Sequence, residues 1–360
     1  MLLVSLELKN FRSYNSARFD FNPRRNLIVG GNADGKTTAL EAIQFLSSGK
    51  SPRSKSSEQL IQTGAPSMSV RGRCRDRDSV QDISIQCGNG EKIQMLGGIP
   101  GARAVDLARV LPLLHVSPDS HHDFQRESKQ RRACIDWFLF HVEQNFHHIW
   151  LRYQRTLAQR NAALKKWSGH KSVTTWDDEL AMHGDTIQEM RERAAADLAE
   201  KFTAVCHDLL PDLNGVTLYL QSGWDSEKNL LQALRTNIKN DTKQGVTQNG
   251  PHRNDLVFNI KHIRNKFELS HGQKKLLFIA LKIAQIELLQ STCGIECSLL
   301  IDDIQAELDR TSQARVVKRL STIPGQIFAT SLDSEDWGKE WQEYEAFHVK
   351  HGAIQFTEKC

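Results

Sequence analysis

Residues 26–49 read NLIVGGNADGKTTALEAIQFLSSG, and this stretch decides the fold. A short β-type run at Leu27–Val29 leads into a glycine-rich turn, and apolar residues at helical spacing follow the turn. Inside it, GGNADGKTT at 30–38 has a glycine, four further residues and then Gly35-Lys36-Thr37, the pattern of a phosphate-binding loop. Such a loop needs a strand before it and a helix after it, because its backbone N–H groups and the helix N-terminus face the phosphates. The stretch therefore predicts a nucleotide site in an α/β domain.

The predicted nucleotide-binding residues form one continuous run. They are Gly30, Gly31, Asn32, Ala33, Asp34, Gly35, Lys36, Thr37 and Thr38. Lys36 is predicted to reach the β- and γ-phosphate oxygens, and Thr37 to ligate Mg²⁺. The expected ligands are therefore ATP and Mg²⁺. An acid at Asp34 is unusual beside a polyanion, and it is tolerable only if its carboxylate points away from the phosphates.

The bulk composition is that of an ordinary globular protein. The chain has 360 residues, of which 39% are hydrophobic and 25% charged, enough for two domains or one domain with a large insertion. No apolar run approaches the length that crosses a bilayer. The alternating start, MLLVSLELKNFRSYNSARFDF, predicts a strand rather than a signal peptide. These features predict a cytoplasmic protein.

The hydrophobic period changes along the chain. A β-rich region extends to about residue 96, and apolar residues then recur at steps of three and four across 135–164 and 187–209. These two stretches predict long amphipathic helices joined by the polar segment SGHKSVTT. Strand patterns return with DLVFNI, NKFELS, CSLLIDD and GQIFATS. We predict an α/β head built from residues 1–120 and 246–360, with a helical insertion at 121–245. The insertion is compatible with two roles. It can be a hairpin that packs only on itself, or one that presents a surface to a partner or to DNA.

A second candidate motif is LLIDDIQAELD at 299–309. Its apolar run followed by two acids places Asp302 at the carboxyl end of a buried strand, where phosphate-loop enzymes bind Mg²⁺. Asp303 is the candidate general base or water-positioning carboxylate. A helix N-cap is the simpler explanation, but a cap needs one acid, and two adjacent carboxylates at a buried strand end are costly without a cation.

A third candidate motif is LSHGQKK at 269–275, which we call the signature segment. Ser270 precedes a helical pattern, so on its own it predicts only a helix cap. Its interest comes from its position ahead of the acidic motif and from Gly272 and Gln273.

Together these motifs resemble the ATPase heads of the ABC class and, within that class, the RecF family of bacterial DNA-repair ATPases, whose heads are similar to those of SMC proteins. The resemblance covers nearly the whole chain. The segments that carry it, in the family's order, are LELKNFRSY, LEAIQFLSSGKSPRS, LPLLHVSPD, QRRACIDWFLFH, LAQRNAALK, WDDEL, NGPHRNDL, LSHGQKKLL and LLIDDIQAELD.

The resemblance implies an ABC-type head with a coiled-coil-like arm and an ATP-dependent homodimer. Two protomers would enclose ATP, the phosphate loop of one meeting Ser270, Gly272 and Gln273 of the other, with Ser270 acting in catalysis. Asp309 would lie in a loop that communicates across that interface. The family's function implies binding of duplex DNA near single-stranded gaps, RecA loading with RecO and RecR, replication restart and support of the SOS response.

Three departures from the family pattern bear on hydrolysis. Ala33 stands where a glycine is usual, Leu114-His115 replaces a glutamine, and Thr330-Ser331 offers no histidine like that of transporter ATPases. We therefore predict ATP binding with weak, DNA-dependent hydrolysis. The alternatives are a nucleotide-gated DNA scaffold with little or no turnover, a transporter ATPase subunit, and an ATPase coupled to a nuclease.

Basic residues in two places are candidates for DNA backbone contacts. The first set alternates along one predicted strand, and the second lies in the polar loop after the first helix. They are Arg71, Arg73, Arg75 and Arg77, and Lys50, Arg53 and Lys55. The strand set is equally compatible with a solvated sheet face, because Asp76 and Asp78 dilute its charge.

Overall fold

The structure is a computed structural model that describes residues 1–76, 79–166, 170–261, 269–305, 307–334, 337 and 340–359. The chain divides into two compact units. The first, which we call the head, contains Met1–His121, Asp208–Leu210 and Leu269–Cys360. The second, which we call the helical unit, contains His122–His207 and Pro211–Glu268.

The head contains two groups of strands together with helices, and helices dominate the helical unit. The helices are α1 (Lys36–Ser48), α2 (Ala104–Val110), α3 (Ser120–Arg126), α4 (Ser128–Val142), α5 (Phe146–Lys166), α6 (His170–Thr174), α7 (Asp177–Leu209), α8 (Leu230–Thr236), α9 (Ile238–Gln244), α10 (His271–Cys293) and α11 (Arg310–Thr322). Short 3₁₀ turns span Ser57–Leu60 and Pro251–Arg253. The strands are β1 (Leu2–Phe11), β2 (Tyr14–Asp20), β3 (Arg25–Val29), β4 (Ser67–Arg75), β5 (Val80–Gly88), β6 (Glu91–Leu96), β7 (Ile99–Pro100), β8 (Leu113–Val116), β9 (Val216–Gln221), β10 (Asp255–Ile260), β11 (Ser298–Ile301), β12 (Ile327–Ser331), β13 (Glu345–Lys350) and β14 (Ala353–Lys359).

The first sheet of the head has the strand order β14-β13-β3-β12-β11-β8. All its strands run parallel except β14, which pairs antiparallel with β13. β3, β11 and β12 are buried along their whole length, as expected of central strands covered on both faces. The register pairs Val29 with Ser331 and Ile301 with Ala329, so the carboxyl ends of β3, β12 and β11 lie side by side. This edge brings the phosphate loop and the acidic motif together.

The second sheet of the head is antiparallel, with the order β2-β1-β4-β5-β6-β7. α1 packs between the two sheets, since one buried cluster contains Val70 of β4, Phe45 of α1 and Phe328 of β12. The packing of α1 on β4 is close, because a Cβ added at Gly72 would lie 2.2 Å from a methyl carbon of Leu46. Each fully buried Phe or Leu in this cluster contributes about 2 kcal/mol of transfer free energy, and this anchors the helix that begins at the phosphate loop.

α10 is the central helix of the head, with a run of buried residues from Lys275 to Ile286. By length and composition alone this helix would pass for a membrane span, yet 72% of its most apolar 18-residue window is buried inside the protein. The sequence predicted no apolar run of membrane-spanning length, whereas α10 reaches that length and hydropathy even with its lysines.

Arginine-centred ion pairs tie the helical unit together internally. The fully buried guanidinium of Arg160 lies 2.8 Å from Asp177 and 2.7 Å from Asp241, and so joins α5 to α7 and α9. Arg131 of α4 forms a two-point pair with Asp255 of β10 at 2.6 and 2.8 Å. These two arginines stabilise the unit's own packing.

Two sequence-based boundaries differ from the structure. The apolar period across 135–164 predicted one helix, but α4 ends at Val142 and α5 begins at Phe146, because Glu143 adopts an extended conformation. The head was expected to resume at residue 246, whereas β10 pairs antiparallel with β9 and the helical unit extends to Glu268. The pattern of β10 identifies a strand but not its partner. The predicted strand NKFELS lies almost wholly outside the described residues.

Candidate nucleotide-binding site

The phosphate loop joins β3 to α1 through a backbone that requires glycine at two positions. At Gly30 an added Cβ would lie 2.4 Å from the carbonyl oxygen of Val349, so no larger residue fits. Gly35 has a φ of 112°, a left-handed conformation that favours glycine. Ala33 also lies in the left-handed region, with a φ of 66°, and an L-residue there is strained by about 1–2 kcal/mol. The departure at Ala33 therefore falls on a position that glycine would suit.

The N-terminus of α1 offers backbone donors to the loop. Gly35 is its N-cap residue, and no side chain among the described residues caps it. The first bond of the helical series runs from the Ala39 N–H to the Gly35 carbonyl at 3.0 Å. The N–H groups of the preceding turn, at Lys36, Thr37 and Thr38, are therefore the uncapped donors that bind anions at a helix start.

The carboxylate of Asp34 is bound to backbone donors around the loop. It accepts the N–H of Gly31 at 2.7 Å and the N–H of His351, in the turn between β13 and β14, at 3.2 Å. The His351 bond and then the Gly31 bond lower the pKa of Asp34. The Gly352 N–H also donates to the Asp34 carbonyl at 2.9 Å. Asp34 thus joins the phosphate loop to the β13–β14 turn, and backbone N–H groups bind its negative charge.

Lys36 and Tyr14 complete the loop's internal contacts. The Lys36 ammonium donates to the carbonyls of Gly30 at 2.7 Å and Gly31 at 2.8 Å. The Tyr14 hydroxyl donates to the Gly35 carbonyl at 3.1 Å. Burial, followed by the nearby Asp34 charge, raises the pKa of Tyr14, so its hydroxyl keeps its proton at neutral pH.

The acidic motif meets the loop through Asp302. One oxygen of this buried carboxylate accepts the Thr37 hydroxyl at 3.1 Å and the Thr330 hydroxyl at 2.8 Å. Burial raises the pKa of Asp302. A hydroxyl and a carboxylate oxygen at this distance are a suitable ligand pair for Mg²⁺, and the cation would offset the unfavourable burial of the charge.

Asp303 differs from Asp302 in both backbone and exposure. It has a φ of 48°, and its side chain is exposed. Its N–H donates to the Thr330 hydroxyl at 2.9 Å, and its carbonyl accepts the Lys275 ammonium at 3.1 Å. Thr330 therefore orients both acids, leaving Asp303 at the surface where a water or a partner can reach it.

The signature segment begins α10 with a reciprocal cap. The Ser270 hydroxyl accepts the Gln273 N–H at 3.1 Å, and the Gln273 amide oxygen accepts the Ser270 N–H at 2.9 Å. Gly272 lies close to the loop after Asp303, since an added Cβ would be 3.0 Å from the Glu307 carbonyl. Within the described part of the chain, no hydrogen bond joins Ser270, Gly272 or Gln273 to the phosphate loop. Asp309 is the N-cap of α11, where it accepts the Ser312 N–H at 2.9 Å.

Comparisons with known proteins agree on one family. The sequence profile described as "RecF/RecN/SMC N terminal domain" matches residues 2–355. The "DNA replication and repair protein RecF" of Psychromonas ingrahamii is 34% identical over 357 residues, covering 98% of this chain and 99% of that protein. The protein of the same name from Chromohalobacter salexigens is 34% identical over 359 residues, covering 98% and 99%. The chain belongs to the RecF family.

Solved structures support the same assignment. A structure of "the recombination mediator protein RecF-ATPrS in RecFOR pathway" superposes with a TM-score of 0.82 at 25% identity, covering 99% of this chain and 97% of that one. The Smc head bound to the C-terminal winged-helix domain of ScpA superposes with a TM-score of 0.66 at 16% identity, covering 100% and 98%, and so shows the shared fold. The predicted α/β fold, an ABC-type head with an inserted helical arm, is confirmed.

Leu114-His115 stands where the resemblance implied a glutamine, and its histidine does not reach the proposed metal ligands. No hydrogen bond within the described residues joins the His115 imidazole to Thr37 or Asp302. Burial, followed by the Lys282 charge, lowers the pKa of His115 to about 4, so the ring is neutral at pH 7. The water-positioning group expected from the family is thus absent from this strand end among the described residues.

The candidate DNA-binding residues of this RecF-family chain differ in how far nearby acids neutralise their charge. Arg71, Arg73 and Arg75 are exposed on one face of β4, while Arg77 lies outside the described residues. Arg73 pairs with Asp82 at 3.0 Å. Arg71 lies opposite Glu7 in the β1–β4 register. Acids on the neighbouring strands therefore dilute the positive charge of this face.

The basic residues of the loop after α1 are less neutralised by nearby acids than those of β4. Lys50, Arg53 and Lys55 are all exposed. Arg53 lies 3.6 Å from the buried carboxylate of Glu41, which also binds Arg12 at 2.7 Å. Within the described residues no ion pair involves Lys50 or Lys55.

Sequence reasoning missed three residues that shape the site. They are Thr330, which binds both acids, His351, which fixes Asp34, and Tyr14, which holds Gly35. A signal existed for Thr330, because it lies near the carboxyl end of the strand next to the acidic one. None existed for His351 or Tyr14, whose contacts depend on the tertiary fold.

Proposed function

We propose that this chain is an ATP-binding protein of DNA replication and recombinational repair, acting in the cytoplasm in the RecFOR pathway. The support comes from its membership of the RecF family, whose relatives bear that name, and from a neighbouring structure described as RecF-ATP. The observation that carries the proposal is the convergence of an uncapped helix start, Lys36 and the Thr37–Asp302 pair at one sheet edge.

Each predicted site residue has a role in this proposal. The N–H groups of the loop from Gly30 to Thr38 bind the phosphates, with Lys36 neutralising the terminal phosphate oxygens. Thr37 and Asp302 hold Mg²⁺, and Asp303 is the residue that orients or deprotonates the attacking water.

The signature segment acts from a second protomer. Ser270, Gly272 and Gln273 are at the start of α10, where Ser270 is exposed and the other two are half-buried. A hydroxyl and helix N–H groups suit an anion supplied by another chain. A γ-phosphate held between two protomers makes dimerisation depend on ATP. The dimer binds duplex DNA near single-stranded gaps through sequence-independent backbone contacts and works with RecO- and RecR-type mediators to load RecA in replication restart and the SOS response.

The proposed activity is weak DNA-dependent ATP hydrolysis. A second candidate is a nucleotide-gated DNA scaffold with little or no turnover. The neutral, half-buried His115 favours the scaffold, because it leaves water positioning to Asp303.

The test measures ATP binding and steady-state turnover of the purified protein, with and without gapped duplex DNA. Lys36→Ala should abolish binding, whereas Lys359→Ala, an exposed lysine on β14, should bind ATP as the unchanged protein does. DNA-stimulated turnover lost in Lys36→Ala supports the ATPase. Binding with turnover no higher than in Lys36→Ala establishes the scaffold instead. Absence of Lys36-dependent ATP binding would refute both.

A further inference from the structure

A second group of metal-binding side chains lies in the head, where the signature segment meets the loop after Asp303. Its members within the head are His121, His271 and Glu307, whose ligand atoms all lie within 4.8 Å of one another. The His121 Nε2 atom is 3.4 Å from a Glu307 carboxylate oxygen. Neither the proposed ATP chemistry nor the Thr37–Asp302 pair uses these three residues.

The donor set is that of a transition-metal site. Two imidazole nitrogens and one carboxylate oxygen suit Zn²⁺ and its neighbours, whereas Mg²⁺ prefers oxygen ligands alone. With metal–ligand distances of about 2.0–2.1 Å, neighbouring ligands of a tetrahedral ion are about 3.4 Å apart. The His121–Glu307 separation of 3.4 Å matches that spacing.

The local structure holds the ligands in place and leaves them accessible. His121, at the start of α3, is buried, so surrounding atoms restrict its ring. His271 and Glu307 are exposed, which gives an ion a route into the group. Glu307 has a φ of 69°, and its carbonyl packs against Gly272. The start of α10, which carries His271, and the loop that carries Glu307 are therefore already in contact.

We propose that His121, His271 and Glu307 bind a divalent transition-metal ion, with Zn²⁺ as the best-fitting one. The ion fixes the residue that follows Ser270 to the loop that follows Asp303. Metal binding stands on this geometry alone. Its consequence, that the ion holds the signature segment in position for the nucleotide of a second protomer, rests on the proposed function.

The test titrates metal-free, full-length protein with Zn²⁺ in competition with a chromophoric chelator. Every variant carries Cys293→Ser, because Cys293 is an exposed thiol that would itself bind Zn²⁺. His271→Ala and Glu307→Gln alter exposed side chains, and each should lower the affinity about tenfold or more. His207→Ala, an exposed histidine of α7, is the matched control and should leave the affinity unchanged.

Two further readouts report on the site itself. Co²⁺ bound in place of Zn²⁺ should give the intense visible absorption of a tetrahedral site, lost in His271→Ala. Zn²⁺ should slow amide hydrogen exchange across residues 269–273 in the parent protein and not in Glu307→Gln. Equal Zn²⁺ affinity in the parent protein and both ligand variants would overturn the proposal, as would absence of Zn²⁺ binding by the parent. ATP binding is measured on the same samples, so that a failure of metal binding can be distinguished from a failure of the proposed function.

Discussion

The hydroxyl of Thr37 lies 3.1 Å from the carboxylate of Asp302, although 265 positions separate the two residues in the chain. The parallel register of β3, β12 and β11 produces this meeting, because it aligns the carboxyl ends of strands from distant segments. A buried carboxylate next to a phosphate-binding loop is unfavourable by itself and becomes favourable when a cation binds.

Asp302→Asn should therefore increase the stability of the ligand-free protein while removing Mg²⁺-dependent ATP binding. Burial raises the pKa of Asp302 above its usual 3.8, so the charged form opposes folding once the pH exceeds the unfolded-state value. In thermal denaturation without ligand at pH 7, the variant should gain a few degrees in Tm. The gain should shrink as the pH falls towards 4, and Mg²⁺-dependent ATP binding should be lost.

Asp106→Asn is the matched control for that experiment. The Arg103 side chain lowers the pKa of Asp106, so this charge favours folding above the unfolded-state pKa. The control should lower the Tm at pH 7 and leave ATP binding intact. Equal, same-sign Tm changes in the two variants would contradict the argument.

Ala33→Gly should relieve the left-handed strain in the phosphate loop. Glycine removes about 1–2 kcal/mol of strain but loses about 0.5–1 kcal/mol of chain entropy on folding, so the free energy of unfolding should rise by up to about 1.5 kcal/mol. Chemical denaturation measures it. Ala158→Gly, at an exposed position inside α5, should have the opposite sign and lower the value by about 1 kcal/mol. A destabilised Ala33→Gly protein would show that the φ of Ala33 is not strained.

A mixing experiment tests whether the signature segment acts between protomers. Lys36→Ala and Ser270→Arg should each lack ATP turnover when pure. Mixed in equal amounts, about half of randomly paired dimers would contain one intact site, restoring up to about a quarter of the parent turnover. Mixing Lys36→Ala with a Lys36→Ala/Ser270→Arg double variant is the control and should restore none. Equal recovery in both mixtures would rule out a shared site.

The salt dependence of DNA binding distinguishes the two basic candidate surfaces. Lys50→Ala and Lys55→Ala should each weaken binding to gapped duplex DNA and reduce the slope of log K against log salt by about 1. Arg73→Ala should change both quantities less, because Arg73 already pairs with Asp82. A larger loss from Arg73→Ala than from either lysine variant would place the DNA on the exposed face of β4.

Local patterns predicted the elements whose geometry is set within a few residues. The β3–loop–α1 unit, the buried strand ending at Asp302 and the start of α10 at Ser270 all follow from periodicity and residue type. The order of motifs along the chain then predicted the fold, because family members share that order.

Contacts between distant segments were not predictable in the same way. The sequence shows that Asp34 is an acid but not that the N–H of His351 will bind it. Likewise, Arg73 is recognisable as a basic residue of a strand, but its pairing with Asp82 depends on the β4–β5 register. Long-range pairing likewise decided that β10 belongs with β9 rather than with the head.

The position of β3 has a consequence for synthesis of the protein. β3 lies between β12 and β13, and about 300 residues separate it from β12 in the chain. At a translation rate of about 5–20 residues per second, a ribosome needs roughly 15 to 60 seconds to cover that distance. During that interval both edges of β3 lack their native partners, and the contacts of Asp34 with the β13–β14 turn cannot form. We expect a nascent chain arrested before β12 to be unable to retain ATP. Pull-down of stalled ribosomes on immobilised nucleotide would detect ATP binding by such a chain.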